Sequence, residues 1–292
     1  MKKKTVFVGV ATALVTPFRD GAIDYGALSA LIDMQIDAGI EALVVGGTTG
    51  EAATLSDAER YSLYKFCREC IRGRCKLIAG TGTNDTRVAI QHTVEAEECG
   101  ADAALLVTPY YNKGTEEGIF RHYSAIADNT SLPLILYNVP SRTGVNLGIN
   151  LLARLAEREN IVGLKEAGDS LDRLVTLSTL CDSLTLYSGN DTQIYPTLAL
   201  GGMGVISVAS NIIPREIRSI CSLYFDGRLS ESLDIQRRLV PFMQSLFIET
   251  NPAPIKYAMA KKNMISSELR LPLYDVREST RAAIDEQMQK IL

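Results

Sequence analysis

Short apolar runs that end in polar or glycine-rich loops recur eight times along the chain: VGVATALVT, ALVVGGTTG, KLIAGTG, AALLVTPYY, LILYNVP, IVGLKEAG, LTLYSGND and GVISVASN. Their lengths and apolar content suit strands. Between them lie amphipathic segments with helix signals. Ser56-Asp57-Ala58-Glu59 reads as a capping box ahead of a helix from Tyr61 to Ile71, and Thr86 to Cys99 closes on Gly100 as a C-cap. With no Asn-Gly hairpin between the runs, strands alternating with helices call for right-handed βαβ units and a parallel sheet. Eight such units over roughly 225 residues match a (β/α)8 TIM barrel better than an open doubly wound sheet.

The unusual residues support that choice. Thr48, Thr49, Asn84, Tyr110, Tyr111, Tyr137, Arg142, Lys165, Asn190 and Ser207 all fall at or just past the C-terminal ends of the expected strands. That is the face on which barrel enzymes carry their active sites. After Gly227 the β/α rhythm stops, and the expected division is a catalytic barrel over 1–227 and a C-terminal helical extension over 228–292. Within the extension, Pro241 should kink or divide the segment from Leu229 to Glu249. Asn251-Pro252-Ala253-Pro254 breaks the chain before Ile255 to Lys262, and a last helix is expected from Arg277 to Leu292.

Lys165 ends the otherwise apolar run Ile161-Val162-Gly163-Leu164. Period-2 alternation puts Ile161, Gly163 and Lys165 on one face, so that the glycine leaves room for the lysine. An amine held in apolar surroundings loses hydration of its charged form, its pKa falls, and the neutral amine becomes a nucleophile toward carbonyl carbon. The structural alternative is a strand-end lysine paired with Glu166 or reaching solvent.

Other candidates surround it. Gly46-Gly47-Thr48-Thr49-Gly50-Glu51 fits no nucleotide-binding pattern, and its backbone amides and hydroxyls suit a carboxylate; a tight strand-to-helix turn would need the same glycines. Alternation lets Tyr137 face the barrel mouth beside Lys165, where a phenol can pass protons at a carbonyl carbon. Arg142 can grip a carboxylate with two parallel hydrogen bonds. The Tyr110-Tyr111 pair is equally compatible with aromatic packing.

Composition narrows the setting. The chain has 292 residues, 46% hydrophobic and 22% charged, with a formal net charge of −4. These values fit a soluble globular protein that binds small molecules and argue against nucleic acid or an anionic membrane as partner. No apolar run approaches the length of a membrane span. Six cysteines in a chain this long fit no secreted disulfide framework and point to free thiols in a reducing, cytoplasmic compartment. Cys67-x-x-Cys70 lies inside a helical pattern without further ligands, so no metal site is expected. His92 and His122 read as packing or surface residues in helices. Lys2-Lys3-Lys4 followed by VFVGVATALV imitates a signal peptide and reads equally well as the lead into a first strand.

The motifs GGTTGE, TPYYNK, YNVPSRTG, GLKEA and NPAPIK, in this order and spacing, resemble the dihydrodipicolinate synthase branch of the N-acetylneuraminate lyase superfamily over essentially the whole chain. The resemblance implies a (β/α)8 barrel with a helical extension, assembled as a homo-oligomer, commonly a dimer of tight dimers. It implies that Lys165 forms a Schiff base with pyruvate, whose enamine attacks L-aspartate-4-semialdehyde to give 4-hydroxy-tetrahydrodipicolinate on the way to diaminopimelate and lysine. Tyr137 matches the family's proton donor and acceptor. Thr48 and Tyr111 match its proton relay, the tyrosine coming from the neighbouring subunit. Thr49 and the backbone at Ile206 match pyruvate contacts, and Arg142 matches the residue that receives the semialdehyde carboxylate. The imine serves as electron sink, so neither metal nor organic cofactor is implied.

One departure concerns regulation. Where lysine-inhibited members carry two histidines and a glutamate, this chain has Asp57, Arg60 and Val88, although Asn84 and Tyr110 still match. Weak or absent lysine feedback is therefore expected. The sugar-acid aldolases and sialic-acid lyases of the superfamily share Lys165, Tyr137 and the threonine loop but generally lack the arginine, which makes Arg142 the discriminating residue. A non-catalytic barrel that binds keto acids is the remaining alternative.

Overall fold

The apolar runs form strands that close on themselves. The computed structural model describes residues 4–291; Lys2, Lys3 and Leu292, named above in the basic N-terminus and the last helix, lie outside them. In chain order the elements are β1 (Gly9–Ala13), β2 (Phe18–Arg19), β3 (Ala22–Ile23), α1 (Tyr25–Asp37), β4 (Ala42–Val45), α2 (Asp57–Ile71), β5 (Lys76–Gly80), α3 (Thr86–Glu98), β6 (Ala103–Val107), α4 (Glu116–Ala127) and β7 (Leu134–Asn138). Then follow α5 (Pro140–Thr143), α6 (Ile149–Ala156), β8 (Ile161–Glu166), α7 (Leu171–Ser178), β9 (Thr185–Ser188), α8 (Ile194–Ala199), β10 (Gly204–Ser207), α9 (Pro214–Phe225), α10 (Leu229–Ser245), α11 (Ala253–Lys261) and α12 (Glu278–Ile291). The parallel barrel runs β1-β4-β5-β6-β7-β8-β9-β10 and closes where β10 pairs with β1. It is a (β/α)8 barrel, and the run VFVGVATALV supplies its first strand.

β2 and β3 are a departure from the expected pattern. They form a small antiparallel hairpin whose turn residues, Asp20 and Gly21, both have positive φ. Asp-Gly is as good a hairpin signal as Asn-Gly. It sits in the loop between β1 and α1 as a separate two-stranded sheet, so the parallel barrel is untouched.

Side chains alternate between two cores. Ala11, Ala13, Val44, Ile78, Leu105, Ile135 and Ile206 fill the barrel interior, where Phe7 stacks on Tyr187 with ring centroids 4.2 Å apart. Leu43, Leu77, Leu106, Leu136 and Leu164 face outward against the helices. Each such leucine contributes about 1.5–3 kcal/mol relative to exposure. The capping box forms as expected: Ser56 Oγ accepts from the Glu59 amide, and the Glu59 carboxylate accepts from the Ser56 amide. Arg270 also binds that carboxylate and holds the Glu59 pKa down at about 2.

Pro241 does not divide its segment. α10 continues through it from Leu229 to Ser245, because the buried Leu239, Phe242 and Met243 anchor the helix on both sides of the proline. Tertiary packing outweighs the lost backbone hydrogen bond.

Candidate active site

β7, β8 and β9 lie side by side, with Tyr137 opposite Lys165 and Lys165 opposite Tyr187 in the ladder. The alternation rule holds for Gly163 and Lys165 but fails for Ile161. Leu134 pairs with Ile161 while Ile135 pairs with Gly163, so β8 carries one extra residue and Ile161 turns to the outer core. Gly163 does not make space for the lysine. A Cβ there would crowd the Thr185 carbonyl at 3.1 Å and the Tyr187 ring at 3.3 Å, so the glycine makes room for the neighbouring strand β9.

The structure also removes the ion-pair reading of Lys165. Glu166 points the other way, where Asn138 Nδ2 donates to both its oxygens (2.9 and 3.0 Å), the Gly168 amide donates at 2.8 Å and Arg173 Nε pairs with it at 3.0 Å. Among the described residues no carboxylate lies within ion-pairing distance of Lys165, which is 5% exposed. Its Nζ sits 4.2 Å from the centroid of the Tyr137 ring. Burial lowers the amine's pKa to about 7, with Asp191 pulling it up and Arg142 adding to the fall. Burial pushes the Tyr137 phenol up, while Arg142 and the Thr48 hydroxyl act in the opposite direction.

Lys165, Tyr137, Thr48, Thr49 and Arg142 line one cavity of about 430 Å³. The threonines lie on the β4–α2 loop, whose Gly50, Glu51 and Ala52 amides fold back onto the carbonyls of Gly47 and Thr48. Arg142 is carried by α5, and its position just past β7 points it across the mouth. Two sequence candidates are not brought to this cavity. Ile206 is fully buried on β10 and does not line it. Tyr111 is 82% exposed and holds φ of 73°, an uncommon conformation for a side-chain-bearing residue, with the Asn112 amide donating back to the Tyr110 carbonyl.

Three residues that the sequence reading passed over complete the site. Asn251 donates from Nδ2 to Thr49 Oγ1 at 3.0 Å, and its carbonyl accepts from Arg142 Nη2 at 3.3 Å. It lies inside the NPAPIK motif, which the sequence marks as a chain break and as part of the family resemblance without giving Asn251 a role. Glu51 is buried in an ion pair with Lys256 of the same motif. Asp191, next to the flagged Asn190, lines the cavity as a buried carboxylate. A buried polar residue just past a barrel strand was the available signal for Asp191; the other two depend on contacts across some 200 positions of sequence. Among the described residues no cluster of three or more His, Cys, Asp or Glu side chains is placed to hold a metal ion.

A (β/α)8 barrel with a buried amine of lowered pKa, a phenol against it and a guanidinium across the cavity defines a protein built for imine chemistry on small carboxylates. The chain belongs to the dihydrodipicolinate synthetase family, whose profile it matches over residues 6–291. It is 48% identical over 276 residues to the 4-hydroxy-tetrahydrodipicolinate synthase of Clostridium novyi, covering 94% of this chain and 93% of that one. The synthase of Alkaliphilus oremlandii is 45% identical over 98% of this chain and 99% of its own. Among solved structures, dihydrodipicolinate synthase from Thermotoga maritima superposes with a TM-score of 0.96 at 40% identity, covering 98% of this chain and 99% of that chain. The 4-hydroxy-tetrahydrodipicolinate synthase of Methylacidiphilum fumariolicum gives 0.94 at 43% identity, covering 97% and 95%.

Proposed function

We propose that this chain condenses pyruvate with L-aspartate-4-semialdehyde to give 4-hydroxy-tetrahydrodipicolinate, a lyase-type step of lysine and diaminopimelate biosynthesis. The observation that carries the mechanism is the buried Lys165 amine, its pKa lowered by burial to about 7, seated on the Tyr137 ring. The neutral amine adds to the pyruvate carbonyl, water leaves, and the resulting iminium withdraws electrons from the methyl carbon. Loss of a methyl proton gives the enamine, which forms the carbon–carbon bond to the aldehyde. The substrate's own amino group then attacks the imine carbon and releases Lys165.

Tyr137 donates and accepts the protons of these steps, with Thr48 next in the relay. Thr49, which lines the cavity with Lys165, contacts pyruvate. Arg142 receives the semialdehyde carboxylate, which favours this substrate over a polyol aldehyde. Tyr111 faces away from its own cavity in a strained conformation. That supports its delivery into the site of a second copy, as part of a homo-oligomer that we take to be a dimer of tight dimers. The six cysteines are free, which suits a reducing compartment, and we assign the enzyme to the cytoplasm. No described helix is long and apolar enough to cross a membrane.

Borohydride reduction in the presence of pyruvate, followed by peptide mass spectrometry, tests the reading. A reduced pyruvyl adduct on Lys165, together with turnover of pyruvate plus the semialdehyde, is expected. Absence of the adduct, or turnover of sugar acids alone, would overturn it.

A further inference from the structure

Asp191 is a carboxylate with one end tied and one end free. Its Oδ2 accepts from the backbone amides of Val208 (3.1 Å) and Ala209 (2.9 Å). Its Oδ1 is buried and makes no hydrogen bond of good geometry, in a side chain only 3% exposed; burial raises the carboxyl's pKa, against the Ser207 hydroxyl, the two amides and the nearby Lys165, which favour the charged form. Leaving a carboxylate oxygen buried and unpaired is costly, and a native structure that keeps one beside its active site has a use for it, a bound ligand among the candidates. Asp191 lines the same cavity as Lys165 and Arg142.

Strand order places Asp191 relative to the nucleophile. Lys165 is the penultimate residue of β8, Arg142 follows β7 on one side, and Asp191 follows β9 on the other. The cavity therefore holds a cation and an anion on opposite flanks of the nucleophile. Pyruvate has no donor to offer Oδ1. A substrate that carries both a carboxylate and an ammonium group has one charge for each flank, with its aldehyde left at the centre for the enamine.

We propose that Asp191 receives the α-ammonium group of the second substrate through Oδ1 and so selects an amino-acid aldehyde over its desamino analogue. The two backbone hydrogen bonds fix the carboxylate before substrate arrives, so the new contact is charge-assisted and preorganised. This inference rests on the reading of the site as a pyruvate–semialdehyde synthase.

The test compares wild type with Asp191→Asn, which keeps the side chain's volume and an acceptor for the two amides. Three quantities are measured: pyruvate trapping on Lys165, kcat/KM for L-aspartate-4-semialdehyde, and inhibition by succinate semialdehyde, which has the aldehyde and carboxylate but no ammonium. In the variant, trapping is expected to persist, kcat/KM for the amino aldehyde to fall by about 10- to 100-fold, and the inhibition constant of the desamino analogue to stay within about twofold of wild type. Unchanged kcat/KM overturns the proposal, and so does an equal weakening of both aldehydes. Loss of trapping in the variant alone also overturns it, since Asp191 would then act at imine formation. Loss of trapping in wild type instead refutes the underlying reading of the site. If the asparagine variant is not recovered folded, Asp191→Ser, whose hydroxyl can accept from the same amides, carries the same comparison.

Discussion

The Lys165 amine rests on the face of the Tyr137 ring, 4.2 Å from its centroid, and the two residues are direct ladder partners on β8 and β7. The ring and the hydroxyl of this tyrosine therefore do different things. The ring shields the amine from water, and the phenol is a proton carrier.

Tyr137→Phe separates the two roles. The ring stays, so borohydride trapping of pyruvate on Lys165 should persist, while kcat falls by about 10²-fold or more with the loss of a positioned proton donor. Wild-type turnover in a steady-state assay of the variant would remove Tyr137 from the chemistry.

The lowered amine pKa has a visible pH signature. Only the neutral amine adds to pyruvate, so kcat/KM for pyruvate should rise as the pH climbs through about 7 and level off above it. Arg142 contributes to the depression by charge repulsion. In Arg142→Gln the inflection should therefore move upward. A profile that keeps rising to the pKa of an ordinary lysine would mean that burial is not tuning the amine.

Burying that amine also costs stability. The folded pKa lies below the unfolded value, so between them the unfolded chain binds more protons, and the penalty shrinks as the pH rises from about 7 toward about 10.5. Lys165→Met should abolish turnover and raise Tm. The gain should be largest at and below pH 7 and should fade at alkaline pH. Thermal melts across that range check both the sign and the slope.

A second buried lysine also has its pKa lowered by burial, but it has a carboxylate partner, so its removal should destabilise rather than stabilise the fold. Lys256 pairs with Glu51 in the interior, donates to the Glu268 carbonyl at 2.9 Å and lies 4.3 Å from the Phe18 ring centroid. Glu51 in turn accepts from the Arg270 amide at 3.0 Å. Lys256→Met strands a buried carboxylate and should cost about 3–5 kcal/mol in denaturant unfolding. Adding Glu51→Gln to that variant should recover part of the loss. A Lys256→Met protein as stable as wild type would show that the pair does not anchor the C-terminal helices to the threonine loop.

These contacts show where the sequence could be read and where it could not. Lys165, Tyr137 and Arg142 were legible because each stands at or just past the C-terminal end of a strand with a clear apolar period, and a barrel converts that position into a place on one face. Asn251 and Glu51 were not, because no local period links the threonine loop to a segment about 200 residues away. Ile161 was misassigned because one inserted residue in β8 inverts the facing of everything before it, and a bulge leaves no mark in a pattern of apolar residues. Gly163 was found for the wrong reason, since the ring that needs its space comes from the next strand.

The weak or absent lysine feedback expected from the sequence would follow from the surroundings of Asp57 and Arg60 on α2 and Val88 on α3. Arg60 is buried, with its guanidinium donating to the Ala52 carbonyl at 2.7 Å and the Gly80 carbonyl at 3.4 Å. A bound lysine would bring its ammonium toward a cation already fixed in place. Asp57 is engaged with His92 Nε2 at 2.9 Å, and Val88 offers no acceptor at all. With one like charge added and one carboxylate missing, half-inhibition should require lysine above about 1 mM, the range of weak and unspecific binding. A steady-state titration with L-lysine at fixed pyruvate decides the matter. Half-inhibition well below that concentration would mean that Asn84 and Tyr110, which remain, are enough to hold the effector.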